Sequence, residues 1–189
     1  ANPENLMENL VARAKCGDKE AFGLIFEHHH RFVFKFVYAM LGNYSAAEEM
    51  TQETFLGAYR SLSSLKNDAA LKTWLCSIAK NNVYKSFRAN RKEGKQSNEE
   101  IETLDLVDDK TPSPDDRLVN RELNQSIAAA LAGLDEDKRA VFVLKEIQQL
   151  SYQEISEITG DAVPKLKTDL FRAKARMRKV LQPYLEVER

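Results

Sequence analysis

The chain has 189 residues, of which 43% are hydrophobic and 30% are charged, a composition typical of one or two small globular domains. It contains only 7 glycines and 5 prolines, which argues against collagen-like, low-complexity and turn-rich β architectures. The two cysteines, Cys16 and Cys76, are far apart in sequence, which argues against a disulfide scaffold and a structural zinc site. The sequence shows neither an apolar run of membrane-spanning length nor a signal-peptide pattern, so we expect a cytoplasmic protein without membrane insertion.

Helical periodicity dominates the first half of the chain. It predicts helices over 4–16, over 19–41, from Tyr44 to about Leu62, and over 69–92. Gly42 and Asn43 end the second helix, and Ser45, followed three residues later by Glu48, has the capping-box spacing for the start of the third.

An acidic segment then interrupts the helical pattern. Residues 94–117 carry 3 basic and 8 acidic side chains and include Thr-Pro and Ser-Pro. A segment of this length without a helical pattern is atypical within a compact domain, so we predict a flexible linker between domains 1–93 and 118–189. Two basic runs, 80–92 and 165–179, lie on either side of this segment and suggest two contacts with a polyanion.

The second domain has the pattern of a helix-turn-helix. Helices are predicted at about 117–132, 135–148, 151–158 and 163–181, with a turn at Gly160 and Pro164 in the first turn of the last helix. Apolar residues of the two last helices should pack together: Ile155, Ile158, Val163, Leu166 and Leu170. The basic helix would then present five side chains to DNA: Lys165, Lys167, Thr168, Phe171 and Arg172. The alternative is an ordinary helical hairpin with a solvated basic face.

The fourth predicted helix interleaves aromatic, basic and amide residues, as proteins that bind single-stranded nucleic acid do. Trp74 and Phe87 share its apolar face and are predicted to belong to the core. The candidates for nucleic-acid contact are its polar residues Lys80, Asn81, Asn82, Lys85, Arg88 and Arg91.

The third helix carries an acidic, amide-bearing surface formed by Glu48, Glu49, Gln52 and Glu53. This surface is either the solvated face of an amphipathic helix or a docking site for a partner helix.

Three consecutive histidines, 28–30, do not converge on one ion, because successive helical residues point about 100° apart. No phosphate loop, nucleophile elbow or paired carboxylates in a pocket are visible. We therefore expect no metal, no cofactor and no enzymatic activity, and we expect Cys16 and Cys76 to pack as small hydrophobic residues.

Taken in order, five segments resemble the extracytoplasmic-function group of bacterial sigma factors, of the sigma-70 family. They are ARAKCGDKEAFGLIFEHHHRFVFKFVYAML, AAEEMTQETFLGAYRSL, LKTWLCSIAKNNVYKSFRANRK, LAGLDEDKRAVFVLKEIQQLSYQEISEI and LKTDLFRAKARMRKVL. The resemblance implies an all-α chain, with a σ2 helical bundle and a σ4 helix-turn-helix domain joined by the flexible acidic linker.

The resemblance also implies partners: RNA polymerase core, through its β′ coiled coil and β flap, promoter DNA, and an anti-sigma factor. Residues 48–60 match the helix that docks on the β′ coiled coil. Residues 80–91 match the element that melts the −10 region, with Asn81 at the family's asparagine, and the basic helix matches the −35 reader. The linker would thread the polymerase toward the RNA exit channel, where its acidic residues would mimic RNA.

Two departures from the family pattern leave the −35 sequence open: residues 164–166 are Pro-Lys-Leu, and Asp169 stands where a basic residue is frequent. A second interpretation is a two-domain regulator that binds duplex DNA as a dimer without polymerase. It would need a self-pairing helix, and none is visible, so we expect no stable homo-oligomer. A metal-dependent enzyme that uses His28, His29 and His30 is the third interpretation.

Overall fold

The computed structural model describes residues 3–93 and 124–185, and every regular element in these two ranges is helical. The predicted all-α class is therefore confirmed. The predicted linker, 94–117, and the start of the second domain lie outside the described residues, so the domain boundaries stay predictions. No helix within the described ranges is both long enough and apolar enough to cross a membrane.

Four helices form the first half of the molecule: α1 (Pro3–Lys15), α2 (Lys19–Leu41), α3 (Tyr44–Ser61) and α4 (Leu71–Lys92). Two short 3₁₀ turns, Leu62–Ser64 and Asp68–Ala70, connect α3 to α4. Helix α2 packs against α1, α3 and α4. Its central position explains why its second half is apolar on nearly all sides, as a helix surrounded by others must be. The residues buried there include Val33, Phe36, Val37 and Met40.

The boundary between α2 and α3 is set by local backbone chemistry. Gly42 ends α2 at φ +73°, a conformation that glycine adopts without steric cost, and its N–H donates to Tyr38 O at 2.8 Å. Asn43 then accepts a hydrogen bond from Ala46 N at 2.8 Å through Oδ1 and is the N-cap of α3. The prediction of Ser45 as N-cap was wrong, because Asn43 is already extended and reaches the first turn.

The second half contains α5, described over 124–132, α6 (Glu136–Phe142), α7 (Tyr152–Thr159) and α8 (Val163–Leu185). Helix α6 continues into a π-helical turn, Val143–Ile147. Asp135 caps α6, and Ser151 with Glu154 forms a capping box at the start of α7. Helix α8 packs against α6 and α7. The buried core of this second half includes Leu131, Leu144, Ile155 and Leu166.

The two halves are in direct contact, with α4 packed against α7 and α2 against α6 and the π-helical turn. The Tyr84 hydroxyl of α4 donates to Asp137 Oδ1 at 3.0 Å, and Arg91 forms an ion pair with Glu136 at 2.9 Å. Burial, and then the negative charge of Asp137, raise the pKa of Tyr84, so its hydroxyl stays a donor. The predicted nucleic-acid helix is thus partly covered by the second half.

Arg139 donates three hydrogen bonds at this contact, one of them across it. Its Nη1 donates to Met40 O at 2.6 Å, and its Nη2 donates to Ala132 O at 2.9 Å and to Leu134 O at 3.1 Å. Carbonyl groups in the last turn of a helix have no intrahelical partner. One guanidinium therefore satisfies carbonyls at the ends of both α2 and α5, and it links the two halves.

A buried histidine makes the fold sensitive to acid. His29 is 8% exposed, and its Nε2 has no hydrogen-bond partner among the described residues. Burial, and then the positive charges of His28 and Lys72, lower the pKa of His29 from 6.5 to about 4. Stability should be complete above pH 6.5 and fall toward pH 4, because over this range only the unfolded chain binds the proton.

We expect His29 to reduce the free energy of unfolding by about 2 kcal/mol between pH 7.5 and pH 5. Urea unfolding of the wild type and of His29→Gln at both pH values measures this. The wild type should lose more stability than the variant. An equal loss in both proteins would show that His29 is not the group responsible.

Candidate nucleic-acid and polymerase interface

One face of α4 is polar and open to solvent. Asn81, Lys85 and Arg88 are exposed, and their spacing places them along one side of the helix. Asn82, the second amide of this segment, instead donates through Nδ2 to Thr54 Oγ1 of α3 at 3.3 Å. The structure therefore assigns the two neighbouring amides different surroundings, one toward solvent and one toward the helical bundle.

A second face of α4 is turned toward the other half of the molecule. Lys80 Nζ lies 5.4 Å from the centre of the Tyr84 ring, a cation–π contact. Arg91 is paired with Glu136, although its side chain is still 64% exposed. Of the six candidates for nucleic-acid contact on this helix, Asn81, Lys85 and Arg88 share the open face and Asn82 is bonded to α3. The other two, Lys80 and Arg91, lie beside the contact with the second half.

The aromatic residues of α4 pack inward. Trp74 and Phe87 are partly buried against the hydrophobic core, and the Arg139 guanidinium lies 5.7 Å from the centre of the Phe87 ring. They are therefore packing residues rather than exposed platforms for bases.

The predicted docking surface lies on α3, where Glu49, Gln52 and Glu53 are exposed. Glu48 is partly buried and accepts a long hydrogen bond, 3.5 Å, from the Tyr44 hydroxyl. The four side chains share one side of the helix, as their spacing requires.

An apolar groove between α2 and α3 adjoins this acidic face through Gln52. It is lined by Phe22, Phe26, Phe55, Leu56 and Tyr59. Leu56 is 57% exposed, and exposed apolar side chains beside polar ones are typical of protein-binding surfaces. The α2 residues of the groove were missed in the sequence, because only the packing of α2 against α3 brings them to this surface.

The last two helices form the predicted helix-turn-helix. Ile155, Leu166 and Leu170 are buried between its elements. Gly160 makes the turn at φ +79°, and the Ser156 hydroxyl donates to Asp161 O at 2.7 Å across it. The small serine thus holds the turn and lets the two helices approach closely.

Helix α8 presents all five predicted −35 residues to solvent: Lys165, Lys167, Thr168, Phe171 and Arg172. Phe171 is 75% exposed. Its ring is therefore accessible to a binding partner on this helix.

Lys165 has different surroundings. Its ammonium donates to Asp161 Oδ2 at 2.8 Å and to Asp169 Oδ2 at 3.0 Å, and it lies 3.9 Å from Asp137 Oδ2. The hydrogen bonds to Asp161 and then to Asp169 raise the pKa of Lys165. The Asp169 side chain is only 12% exposed, so it faces inward rather than toward a DNA groove.

Within the described ranges, no three His, Cys, Asp or Glu residues are grouped so as to hold a metal ion. Both cysteines are free. Cys76 is buried, and burial raises the pKa of its thiol to about 12. Cys16 is exposed, so the prediction that it packs as a small hydrophobic residue was wrong.

Comparison with known proteins finds a matching family model for each half of the molecule. The family model for sigma-70 region 2 matches residues 25–93, and the one for sigma-70 region 4 matches residues 124–177. The ECF RNA polymerase sigma factor SigW of Bacillus subtilis is 31% identical over 185 residues, which cover 95% of this chain and 98% of SigW. The chain belongs to the extracytoplasmic-function sigma factors.

Other relatives share nearly the full length of this sigma factor. The RNA polymerase sigma-H factor of Pseudomonas aeruginosa is 27% identical over 94% of this chain and 95% of its own. The ECF RNA polymerase sigma-E factor of Escherichia coli is 30% identical over 93% and 94%.

Two solved structures share the fold. CnrH, in complex with the cytosolic domain of CnrY, superimposes with a TM-score of 0.70 at 21% identity, over 94% of this chain and 98% of CnrH. The sigma factor RpoE, in complex with the anti-sigma factor NepR from Bartonella quintana, gives 0.67 at 23% identity, over 85% and 96%. In this sigma factor, α2–α4 thus fall in region 2 and α5–α8 in region 4, apart from the first residues of α2 and the last residues of α8.

Proposed function

We propose that this sigma factor binds bacterial RNA polymerase core and directs transcription initiation by recognising the −10 and −35 elements of its promoters. One observation carries the proposal: two exposed basic helix faces, on α4 and α8, lie in the segments that match regions 2 and 4. Domains 1–93 and 118–189 would hold one contact each, joined by the acidic linker 94–117. The chain would act without catalysis, in the cytoplasm.

The α4 face would assist melting of the −10 region. Asn81 can donate to and accept from the edge of an unstacked base, while Lys80, Lys85, Arg88 and Arg91 neutralise phosphates. The base-edge contact of Asn81 is available in an unwound strand and not in paired bases, whereas the phosphate contacts are available in both. Binding therefore shifts the equilibrium toward the melted promoter without any chemical step.

The α8 face would read the −35 element in the major groove. Lys167 and Arg172 can bind phosphates or the acceptor edge of guanine, Thr168 can bond either kind of base edge, and Phe171 can contact a thymine methyl group.

The acidic face of α3 would dock on the β′ coiled coil, with the adjoining groove receiving apolar side chains, and the second domain would contact the β flap.

The Bartonella neighbour was solved with an anti-sigma factor, and we propose that a partner of this class holds the present chain inactive. Arg91 is paired with Glu136, and its side chain is 64% exposed, so its remaining N–H groups are open to a phosphate.

Reconstitution tests this function directly. The purified chain is combined with core RNA polymerase, run-off transcription is performed on sheared genomic DNA, and the 5′ ends are sequenced. Start sites that share a two-block upstream motif are the expected result. Duplex binding without core association or specific initiation would instead support the polymerase-independent regulator.

Asn81→Ala should slow open-complex formation about tenfold while leaving affinity for core unchanged, because one base-edge amide is lost. Permanganate footprinting on a promoter found by reconstitution measures melting, and titration of core measures binding. Asn82→Ala is the matched control, since that amide faces Thr54. Equal effects of Asn81→Ala on melting and on core binding would contradict the assignment.

A further inference from the structure

We propose that Lys165 is a positioning residue of the −35 recognition helix rather than a DNA contact, and that Lys167, Thr168, Phe171 and Arg172 form the reading surface. This inference rests on the proposed function for its DNA-binding consequence. It revises the sequence prediction, which grouped Lys165 with the other four residues.

The carboxylates around Lys165 come from three different elements. Asp161 belongs to the turn between α7 and α8, Asp169 lies one helical turn beyond Lys165 on α8, and Asp137 lies on α6. One ammonium therefore joins the turn to the recognition helix and faces α6. These ion pairs fix the angle at which α8 leaves the turn. That angle determines where the exposed side chains of α8 meet DNA.

Release of Lys165 to a phosphate would be unfavourable. The ammonium would exchange two charge-assisted hydrogen bonds, at 2.8 and 3.0 Å, for a contact with one phosphate. The Asp169 carboxylate, 12% exposed at the side chain, would lose its cation while remaining shielded from water. Three uncompensated carboxylates would then lie at the start of the recognition helix and repel DNA.

The arrangement also explains Asp169 in a helix that is otherwise basic. Its charge is balanced inside the protein by Lys165, so it does not confront phosphates. Lys165 and Lys167 are both exposed, but they have different partners: the Lys167 ammonium lies 5.6 Å from the centre of the Tyr152 ring, a cation–π contact, instead of between carboxylates. It can turn to a phosphate without leaving a carboxylate unpaired.

The test compares Lys165→Met, Lys165→Met with Asp169→Asn, and Lys167→Met in reconstituted holoenzyme on a −35-dependent promoter. Promoter affinity is measured from low to high salt, because each phosphate contact contributes about 0.9 to the slope of log K against log salt. The melting temperature of each free full-length chain is measured in parallel.

Lys165→Met should lower the melting temperature and reduce promoter affinity about tenfold while leaving the salt slope unchanged. The double variant should recover part of this affinity, because the shielded carboxylate that lacks a cation is gone, but it should stay weaker than wild type, because the link from the turn to α8 is still missing. Lys167→Met should lower the slope by about one, as expected for a phosphate contact, at an unchanged melting temperature.

The proposal is overturned if Lys165→Met lowers the slope by about one, if the double variant stays as weak as the single one, or if Lys165→Met changes neither quantity. Failure of wild-type holoenzyme to initiate at specific sites would refute the proposed function instead. The melting temperatures of the free chains would still test the positioning role of Lys165.

Discussion

Replacement of both Glu49 and Glu53 by lysine is expected to raise the Kd for core RNA polymerase about a hundredfold. Both side chains are exposed on the proposed docking surface of α3, one helical turn apart. Reversal of two charges in an electrostatically complementary interface turns attraction into repulsion, and such changes cost several kcal/mol in other complexes, where about 1.4 kcal/mol is tenfold in affinity. Titration of a fluorescently labelled chain with core measures the Kd.

A matched control separates this local effect from the change in net charge. Glu27 of α2 and Glu157 of α7 are also exposed, and neither lies on the α3 face. The Glu27→Lys, Glu157→Lys double variant has the same total charge as the test variant and should bind core within about threefold of wild type, because exposed charges beyond a Debye length are screened. Similar losses of affinity for core in both double variants would show that the change in net charge explains the effect. That result would refute a docking role for α3.

Arg139→Met is expected to lower the free energy of unfolding by about 3 kcal/mol, since three hydrogen bonds from a charged donor are lost at about 1 kcal/mol or more each. The Met40 carbonyl lies in α2, whereas Ala132 and Leu134 belong to the second half. The variant should therefore destabilise the second domain and also loosen its contact with the first. Urea unfolding measures the first effect, and an increased radius of gyration in small-angle X-ray scattering measures the second.

Gln148→Ala distinguishes the two effects. The Gln148 side chain donates through Nε2 to Phe32 O of α2 at 2.9 Å, a bond between the halves alone. This variant should increase the radius of gyration with only a small change in unfolding free energy. An Arg139→Met variant with wild-type unfolding free energy and wild-type radius of gyration would contradict the prediction. It would show that the cost of desolvating the guanidinium already offsets its hydrogen bonds.

Much of the fold could be predicted because helices carry their own periodic signal. The spacing of apolar residues located the helices closely, and the Gly160 turn between two apolar faces located the helix-turn-helix. The choice between neighbouring N-cap residues was harder to predict. Asn43 and Ser45 are both good N-caps, and the choice between them depends on the backbone that follows Gly42. The π-helical turn after α6 was not predicted either, since it depends on how Val143–Ile147 packs.

The candidate site, like the fold, could be predicted only in part. The exposed faces of α3, α4 and α8 follow from residues three or four apart, which every helix places side by side. The pairing of Arg91 with Glu136 and the approach of Lys165 to Asp137 could not be predicted, because these partners lie on another helix. Asp161 and Asp169 lie four residues before and after Lys165, so their pairing with it follows the ordinary spacing of ion pairs along a chain in helical register. The Phe22 and Phe26 side of the docking groove likewise requires α2 beside α3.

The sequence by itself therefore determined the helices, their capping chemistry in outline, the family and the faces that could meet DNA and polymerase. Each of these depends on neighbours along the chain or on motifs in a set order. Only the tertiary structure decided which charges are already paired within the protein. The contacts of Tyr84 with Asp137, of Arg139 with Met40 O and of Lys165 with Asp137 form only through the packing of whole helices. That packing is governed by burial of apolar surface, which no local spacing encodes.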